Sequence, residues 1–252
     1  MNRLAAAALS FGLVIGAGFP ASATDLDALS DAERDAFRAE VRAYLLDNPE
    51  VLMEAIDVLE SRQADAQANV DVNLARANAD ALFDDGFSWE GGNPDGDITI
   101  VEFLDYRCGY CKRAHPEVAE LVSSDGNIRV IVKEFPILGE QSMLASQFAL
   151  AAQIVEGNEG YKLASDALMT MRGEISGDSL TRLAEALGFD SEAILDEMTS
   201  DEVGKIIEEN RLLAQRLQIS GTPTFVFQDQ MLRGYVPLDG MRNVVRDLRA
   251  EG

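Results

Sequence analysis

Cys108 and Cys111 are the only cysteines in this chain of 252 residues, and two residues separate them. At that spacing one thiolate can attack a disulfide and the second thiol can resolve the mixed disulfide that forms. A structural staple is the other use of such a pair. A ring this small removes only about 2 kcal/mol of unfolded-state entropy, and a chain long enough to bury a full core gains little from it. Reactivity explains the pair better. Cys108 falls in the first turn of a helical run, where free backbone N–H groups and the helix dipole favour a thiolate. Cys111 lies one turn deeper and suits the resolving role. Arg107, Lys112 and Arg113 add a positive island to a chain whose net charge is −23.

Other residues bear on the same chemistry. Glu102 precedes Cys108 on a strand. Strand alternation turns it either inward beneath the cysteines, where a buried carboxylate passes protons to and from Cys111, or outward as an ordinary surface glutamate; spacing does not choose. Lys133 on the next strand is either its partner or, more simply, a solvated lysine. In Gly221-Thr222-Pro223-Thr224, the proline either opens an edge strand in trans or forms a cis bond. The cis form presents the backbone of Thr222 to an extended substrate strand. His115, the single histidine, stands directly before Pro116. Its plain reading is a helix-face residue before a kink. The run Cys-x2-Cys-x3-His is also a soft-metal set, although a closed zinc site needs a fourth ligand and the chain has no further cysteine or histidine.

These residues require elements to hold them. Ile98 to Leu104 reads as a buried strand by length and β-branching, a helix runs from the cysteines to about Val122, and Ile128 to Phe135 is a second strand. Strand, helix and strand at this spacing make a βαβ unit with a parallel pair. From Glu140 to Leu217 the pattern is helical. Leu144, Phe148, Ala151 and Val155 mark one helix, Leu180, Leu183, Ala184 and Leu187 a second that stops at Gly188, and Thr199 with Glu202 caps a third. Thr224 to Gln228 and Met231 to Val236 form a hairpin split by Asp229-Gln230, and Leu238 to Arg249 closes the chain as a helix. The order βαβ, helical block, ββα predicts an α/β thioredoxin fold over residues 87–252, with a helical insertion at about 140–217.

The segments before it differ in kind. Asn2-Arg3, the apolar run Leu4 to Gly18 and Ala21-Ser22-Ala23 read as a cleaved signal peptide over residues 1–23, the run being too short to span a bilayer. No later segment is apolar enough to cross a membrane. Residues 24–86 are helical. Ser30 with Glu33 makes a capping box, Phe37, Val41, Tyr44 and Leu45 follow helical spacing to Asp47, and Asn48-Pro49 restarts a helix that reaches about Phe83, roughly 50 Å long. Leu52, Ile56, Leu59, Ala66, Val70, Leu74, Ala77 and Ala81 give it a narrow apolar seam, which calls for a second helix and makes this an oligomerisation segment. Asp84 to Asp97 reads as a linker in which Trp89 is a packing anchor. The 44 acidic side chains against 21 basic ones repel phosphate and anionic lipid, which excludes nucleic acid as a partner.

The stretch Val101-Glu102-Phe103-Leu104-Asp105-Tyr106-Arg107-Cys108-Gly109-Tyr110-Cys111-Lys112-Arg113 resembles the active-site segment of the DsbA-like periplasmic thiol–disulfide oxidoreductases. Within that family it is most similar to the suppressor-of-copper-sensitivity (ScsC) branch. Gly221-Thr222-Pro223-Thr224-Phe225 matches the family's cis-proline loop. Val41-Arg42-Ala43-Tyr44-Leu45-Leu46-Asp47-Asn48-Pro49-Glu50-Val51-Leu52 is similar to the branch's N-terminal oligomerisation segment.

The resemblance implies that Cys108 attacks substrate disulfides, Cys111 resolves, Glu102 relays protons, and Thr222, cis-Pro223 and Tyr110 meet the substrate. It implies a periplasmic location, misfolded exported proteins with cysteines as substrates, a membrane thiol–disulfide electron donor and a homo-oligomer. No cofactor is expected beyond the redox-active Cys108–Cys111 disulfide. Strong oxidases of the family carry Pro-His between the cysteines. Gly-Tyr here, with Thr before the proline, favours a disulfide isomerase or reductase over a dithiol oxidase. Copper handling in the branch makes Cu(I) held by Cys108 and Cys111 the further alternative.

Overall fold

The computed structural model describes residues 29–251, so the predicted signal peptide lies outside the described residues. The described residues form two compact units, divided between Glu60 and Ser61.

In the first unit Ser30 and Glu33 close the capping box that starts α1 (Asp31–Asp47). α1 has no buried residue. Phe37, Val41, Tyr44 and Leu46 are exposed, as are Leu52, Met53, Ile56 and Leu59 at the start of α2 (Glu50–Ala77). Phe37, Val41, Leu45, Leu46 and Leu52 line an apolar groove of about 470 Å³.

The second unit contains the rest of α2. The helix expected to continue to Phe83 is interrupted at Asn78, and α3 (Ala79–Phe83) follows. The Asn78 amide donates to the Leu74 carbonyl and accepts from Arg216 Nε, so its side chain competes with the helical ladder. Ala75 of α2 and Leu82 of α3 are fully buried. The expected seam is only partly covered here: Leu74 and Ala81 pack against this core, Val70 and Ala77 stay exposed, and Asp71, on the covered side, is locked to Arg233 at 2.7 Å.

Next come β1 (Trp89–Gly92), β2 (Ile98–Leu104), α4 (Gly109–Asp125) and β3 (Ile128–Glu134). A helical block follows: α5 (Glu140–Thr170), α6 (Gly177–Leu187), α7 (Ser191–Glu197) and α8 (Asp201–Arg216). β4 (Thr224–Phe227), β5 (Gln230–Arg233) and α9 (Leu238–Glu251) close the chain. The sheet order is β1-β3-β2-β4-β5, with β2 and β3 parallel and the other neighbours antiparallel. This is the thioredoxin fold with a helical insertion between β3 and β4.

Several boundaries depart from expectation: in the hairpin, Gln230 already pairs with Phe227 and β5 ends at Arg233 rather than Val236. The segment 84–97 is not purely a linker: Trp89 pairs with Val132, and the strand so formed makes one edge of the sheet. Ser200, not Thr199, caps α8, because Thr199 N–H is still bonded to Asp196 at the end of α7 while Ser200 Oγ accepts from Val203 N–H.

Each face of the sheet is covered. Ile98, Ile100 and Leu104 of β2, with Ile128, Val130 and Val132 of β3, pack against α4, α5 and α9. Val101, Phe103 and Ile131 face the other way, against Ala75, Leu82, Leu213 and Leu217. Successive side chains on a strand point to opposite faces, so this division decides where every charged residue of β2 and β3 must go. Among the described residues no helix is long and apolar enough to cross a membrane.

Candidate active site

β2 delivers the chain to the cysteine pair through a loop that Asp105 organises. This aspartate is fully buried. One carboxylate oxygen accepts from Arg107 N–H and Ser142 Oγ, each at 2.7 Å, and the other from Ile137 and Leu138 N–H at 2.8 and 3.0 Å. Its carbonyl accepts from Cys108 N–H at 3.0 Å. A carboxylate this well supplied with donors is stable away from water, and it ties the loop before Cys108 to the loop after β3. Sequence reading missed Asp105. The only signal was a short acidic residue between a strand and the cysteines.

Cys108 is the N-cap of α4 rather than a residue of its first turn, and the helix begins at Gly109. Its sulfur is therefore next to the unpaired N–H groups of the helix start. The thiol lies 3.2 Å from the Thr222 carbonyl, to which it donates, and the Thr222–Pro223 bond is cis. The turn after β5 supports this loop, with Gly234 N–H donating to the Pro223 carbonyl. Cys108 is 8% exposed and Cys111 is fully covered. Burial pushes the Cys111 thiol far up, and the charge of Glu102 adds to the effect.

Glu102 turns inward and is 3% exposed. Among the described residues its Oε1 has no hydrogen-bond partner. Burial, reinforced by the charge of Glu134, raises its pKa to about 8. It borders a cavity of about 470 Å³ between α4, α5 and the sheet, with Leu104, Val118, Val130 and Val132 as apolar walls. A carboxyl group in this position holds a proton near neutral pH, and its charge, once formed, bears on the Cys111 thiol.

Lys133 fits neither expectation for it. It is fully buried rather than solvated, and strand parity puts it on the face opposite Glu102. There it pairs with Asp85 and donates to the Ala81 carbonyl at 2.9 Å. The basic island is also otherwise engaged. Arg107 donates to the Gly173 carbonyl, Lys112 to those of Leu168 and Met171 at the end of α5, and Arg113 sits 4.4 Å over the Tyr235 ring. His115, half-buried on α4, meets Asp166 at 2.8 Å. Tyr110 is 61% exposed beside Cys108 and stacks on Tyr235 at 6.1 Å. Tyr235, whose hydroxyl donates to Glu117, is a second residue sequence reading did not single out.

The comparisons agree with this geometry. The DSBA-like thioredoxin domain matches residues 99–246, and the copper resistance protein ScsC N-terminal domain matches residues 33–66. A thioredoxin-like oxidoreductase from Silicibacter pomeroyi is similar at 40% identity and TM-score 0.64, over 69% of this chain and 98% of its own. Proteus mirabilis ScsC in a transitional conformation is similar at 30% identity and TM-score 0.65, over 89% of this chain and all of its own. A curated relative, the Na(+)/H(+) antiporter NhaA 1 of Salinispora arenicola, is 27% identical over 155 residues, and this chain spans 24% of its length.

Proposed function

The chain belongs to the DSBA-like thioredoxin family, and on that premise we propose that it is a periplasmic thiol–disulfide oxidoreductase acting chiefly as a disulfide isomerase or reductase. One observation carries the reading: the Cys108 thiol at a helix N-terminus touches the carbonyl of a cis Thr222–Pro223 peptide, with buried Glu102 bordering the cavity beneath.

The chemistry follows from those positions. The Cys108 thiolate attacks one sulfur of a substrate disulfide, a mixed disulfide forms, and the other substrate sulfur leaves as a thiolate. In reduction, Cys111 passes its proton to the Glu102 carboxylate and attacks Cys108 Sγ. The second substrate sulfur is released, and Cys108–Cys111 becomes a disulfide. In isomerisation, the freed substrate thiolate attacks elsewhere and finally displaces Cys108 reduced. Thr222 and Pro223 would align the extended substrate, and exposed Tyr110 would cover it.

Substrates of this reading are misfolded exported proteins with cysteines, and a membrane thiol–disulfide donor would keep Cys108 reduced. Cys111→Ala should trap substrates in a reducible adduct through Cys108. Adducts that instead require Cys111 would overturn the assignment. Alkylation of acid-quenched cells should find both thiols free, and a resting disulfide would favour the oxidase direction.

Self-association through the N-terminal helices is part of the proposal. It is supported by the exposed apolar side chains of α1 and early α2. A deletion that tests it must stop at Glu60, because Ala75 and Leu82 are core residues of the second unit. Removing residues 24–60 should give a monomer that reduces small disulfides at an unchanged rate but loses most reshuffling of scrambled proteins. Light scattering and a scrambled-substrate refolding assay check both halves. A monomeric full-length protein, or a fully active truncation, removes the claim.

A further inference from the structure

Glu134 is a second buried carboxylate close to Glu102, and thiol exchange through Cys108, Cys111 and Glu102 leaves it without a role. It is 1% exposed at the end of β3. In the parallel register Glu102 lies opposite Val132 and Leu104 opposite Glu134. Glu102 and Glu134 thus project from the same face of the sheet, as diagonal neighbours one residue pair apart. Their surroundings differ sharply. Glu134 Oε1 accepts from the hydroxyls of Tyr106 at 2.7 Å and Tyr161 at 2.5 Å, and Oε2 accepts from Ser146 Oγ at 2.7 Å. Glu102 has no hydrogen bond to Oε1. Hydroxyl donors stabilise a carboxylate, and a buried carboxyl without them keeps its proton.

We propose that Glu134 is a positioning residue for the redox reaction: as the ionised member of this carboxylate pair, it keeps the proton on Glu102 and so sets when Cys111 can be deprotonated. The inference rests on Glu102 being the proton relay. Burial and its neighbours put Glu134 at about 7, below the value of about 8 for Glu102, in the same order as the hydrogen bonding. The other titratable or charged groups around the pair are Cys111 and His115 from α4, Tyr161 and Lys162 from α5, and Asp105 and Tyr106 from the loop. Lys162 and His115 both meet Asp166, and the Asp105 charge, held by four donors, bears on Glu134 and raises it. The charge that bears on Glu102 is that of Glu134.

Tyr106 lies two residues before Cys108, so the network also reaches the active-site loop. Trp89, the single tryptophan, stacks on Tyr161 at 5.4 Å and reports on it.

The test is the reaction of the full-length reduced protein with dithionitrobenzoate, which releases thionitrobenzoate twice, first on attack by Cys108 and then on resolution by Cys111. In the wild type the second release should rise with pH about a midpoint near 8, where Glu102 ionises. Glu134→Gln removes the neighbouring charge and should lower that midpoint by on the order of one pH unit without changing the plateau. Tyr161→Phe should shift it the same way by less, with a change in Trp89 emission. A carbon-detected NMR titration of the wild-type carboxyls should find Glu134 ionising before Glu102, which needs no variant to fold. An unmoved midpoint in Glu134→Gln, or the reverse order of titration, overturns the proposal. If Glu102→Gln leaves the pH profile of the second release unchanged, the relay reading itself is what fails.

Discussion

Glu102→Gln should stabilise the reduced protein at neutral pH, by an amount that grows with pH. In the folded chain Glu102 keeps its proton to about pH 8, against an ordinary value of 4.5. Between those limits the folded state binds one proton more than the unfolded state, so stability falls as pH rises through the window. The loss reaches on the order of 3 kcal/mol by pH 7. The variant has no proton to lose and escapes it. Urea unfolding at pH 5 and pH 7 should find the two proteins close at the lower pH and the variant well ahead at the higher. A difference that does not change with pH would show that Glu102 does not keep its proton through this range in the folded chain. The same variant should slow resolution by Cys111, so activity and stability are expected to move in opposite directions at this position.

The second large effect lies on the other face of the sheet. Asp85→Ala should destabilise the fold by about 3–5 kcal/mol, because it strands the Lys133 ammonium among apolar residues. Lys133 is fully buried, and burial already draws its pKa down against the opposing pull of Asp85. Burial likewise works against charge on Asp85, but the hydrogen bond and charge of Lys133 hold it below the usual carboxylate range. Lys133→Met, similar in volume and uncharged, should cost far less and should rescue much of the stability lost in Asp85→Ala. Thermal or urea unfolding of the two single variants and the double variant measures the coupling. Additive losses would mean that the pair is not an energetic unit. Since Lys133 and Glu102 face opposite sides of the sheet, none of these variants should move the pH profile of resolution.

The cysteine pair and the fold that holds it were legible in the sequence because their signals are local. Cys108 and Cys111 are the only cysteines, a β-branched run precedes them, and turn and cap residues punctuate the chain beyond. Ser30 with Glu33 and the stop at Gly188 are decided within a few residues of chain, and they are found where their types predict. The order of strands and helices then leaves few arrangements for a sheet of this size.

Tertiary structure alone decided the electrostatics. β2 and β3 are apolar on both faces, so their pattern does not tell which parity of residue meets which side. Only the register sends Glu102 and Glu134 toward the cysteine side and Lys133 toward Asp85. β1 was illegible for a related reason: Trp89-Glu90-Gly91-Gly92 has no strand pattern of its own and is held by its pairing with β3. Asp105 looks like any loop aspartate until the chain after β3 brings two N–H groups to it from more than thirty residues away. The apolar seam of α2 was visible as a periodicity. That Ala75 and Leu82, beside the seam rather than in it, are the residues buried under the sheet depends on contacts distant in sequence. What the sequence determined are features set by neighbours along the chain. What only the fold decided is which charges share a face, because that depends on strand register and on long-range burial, which local residue types do not encode.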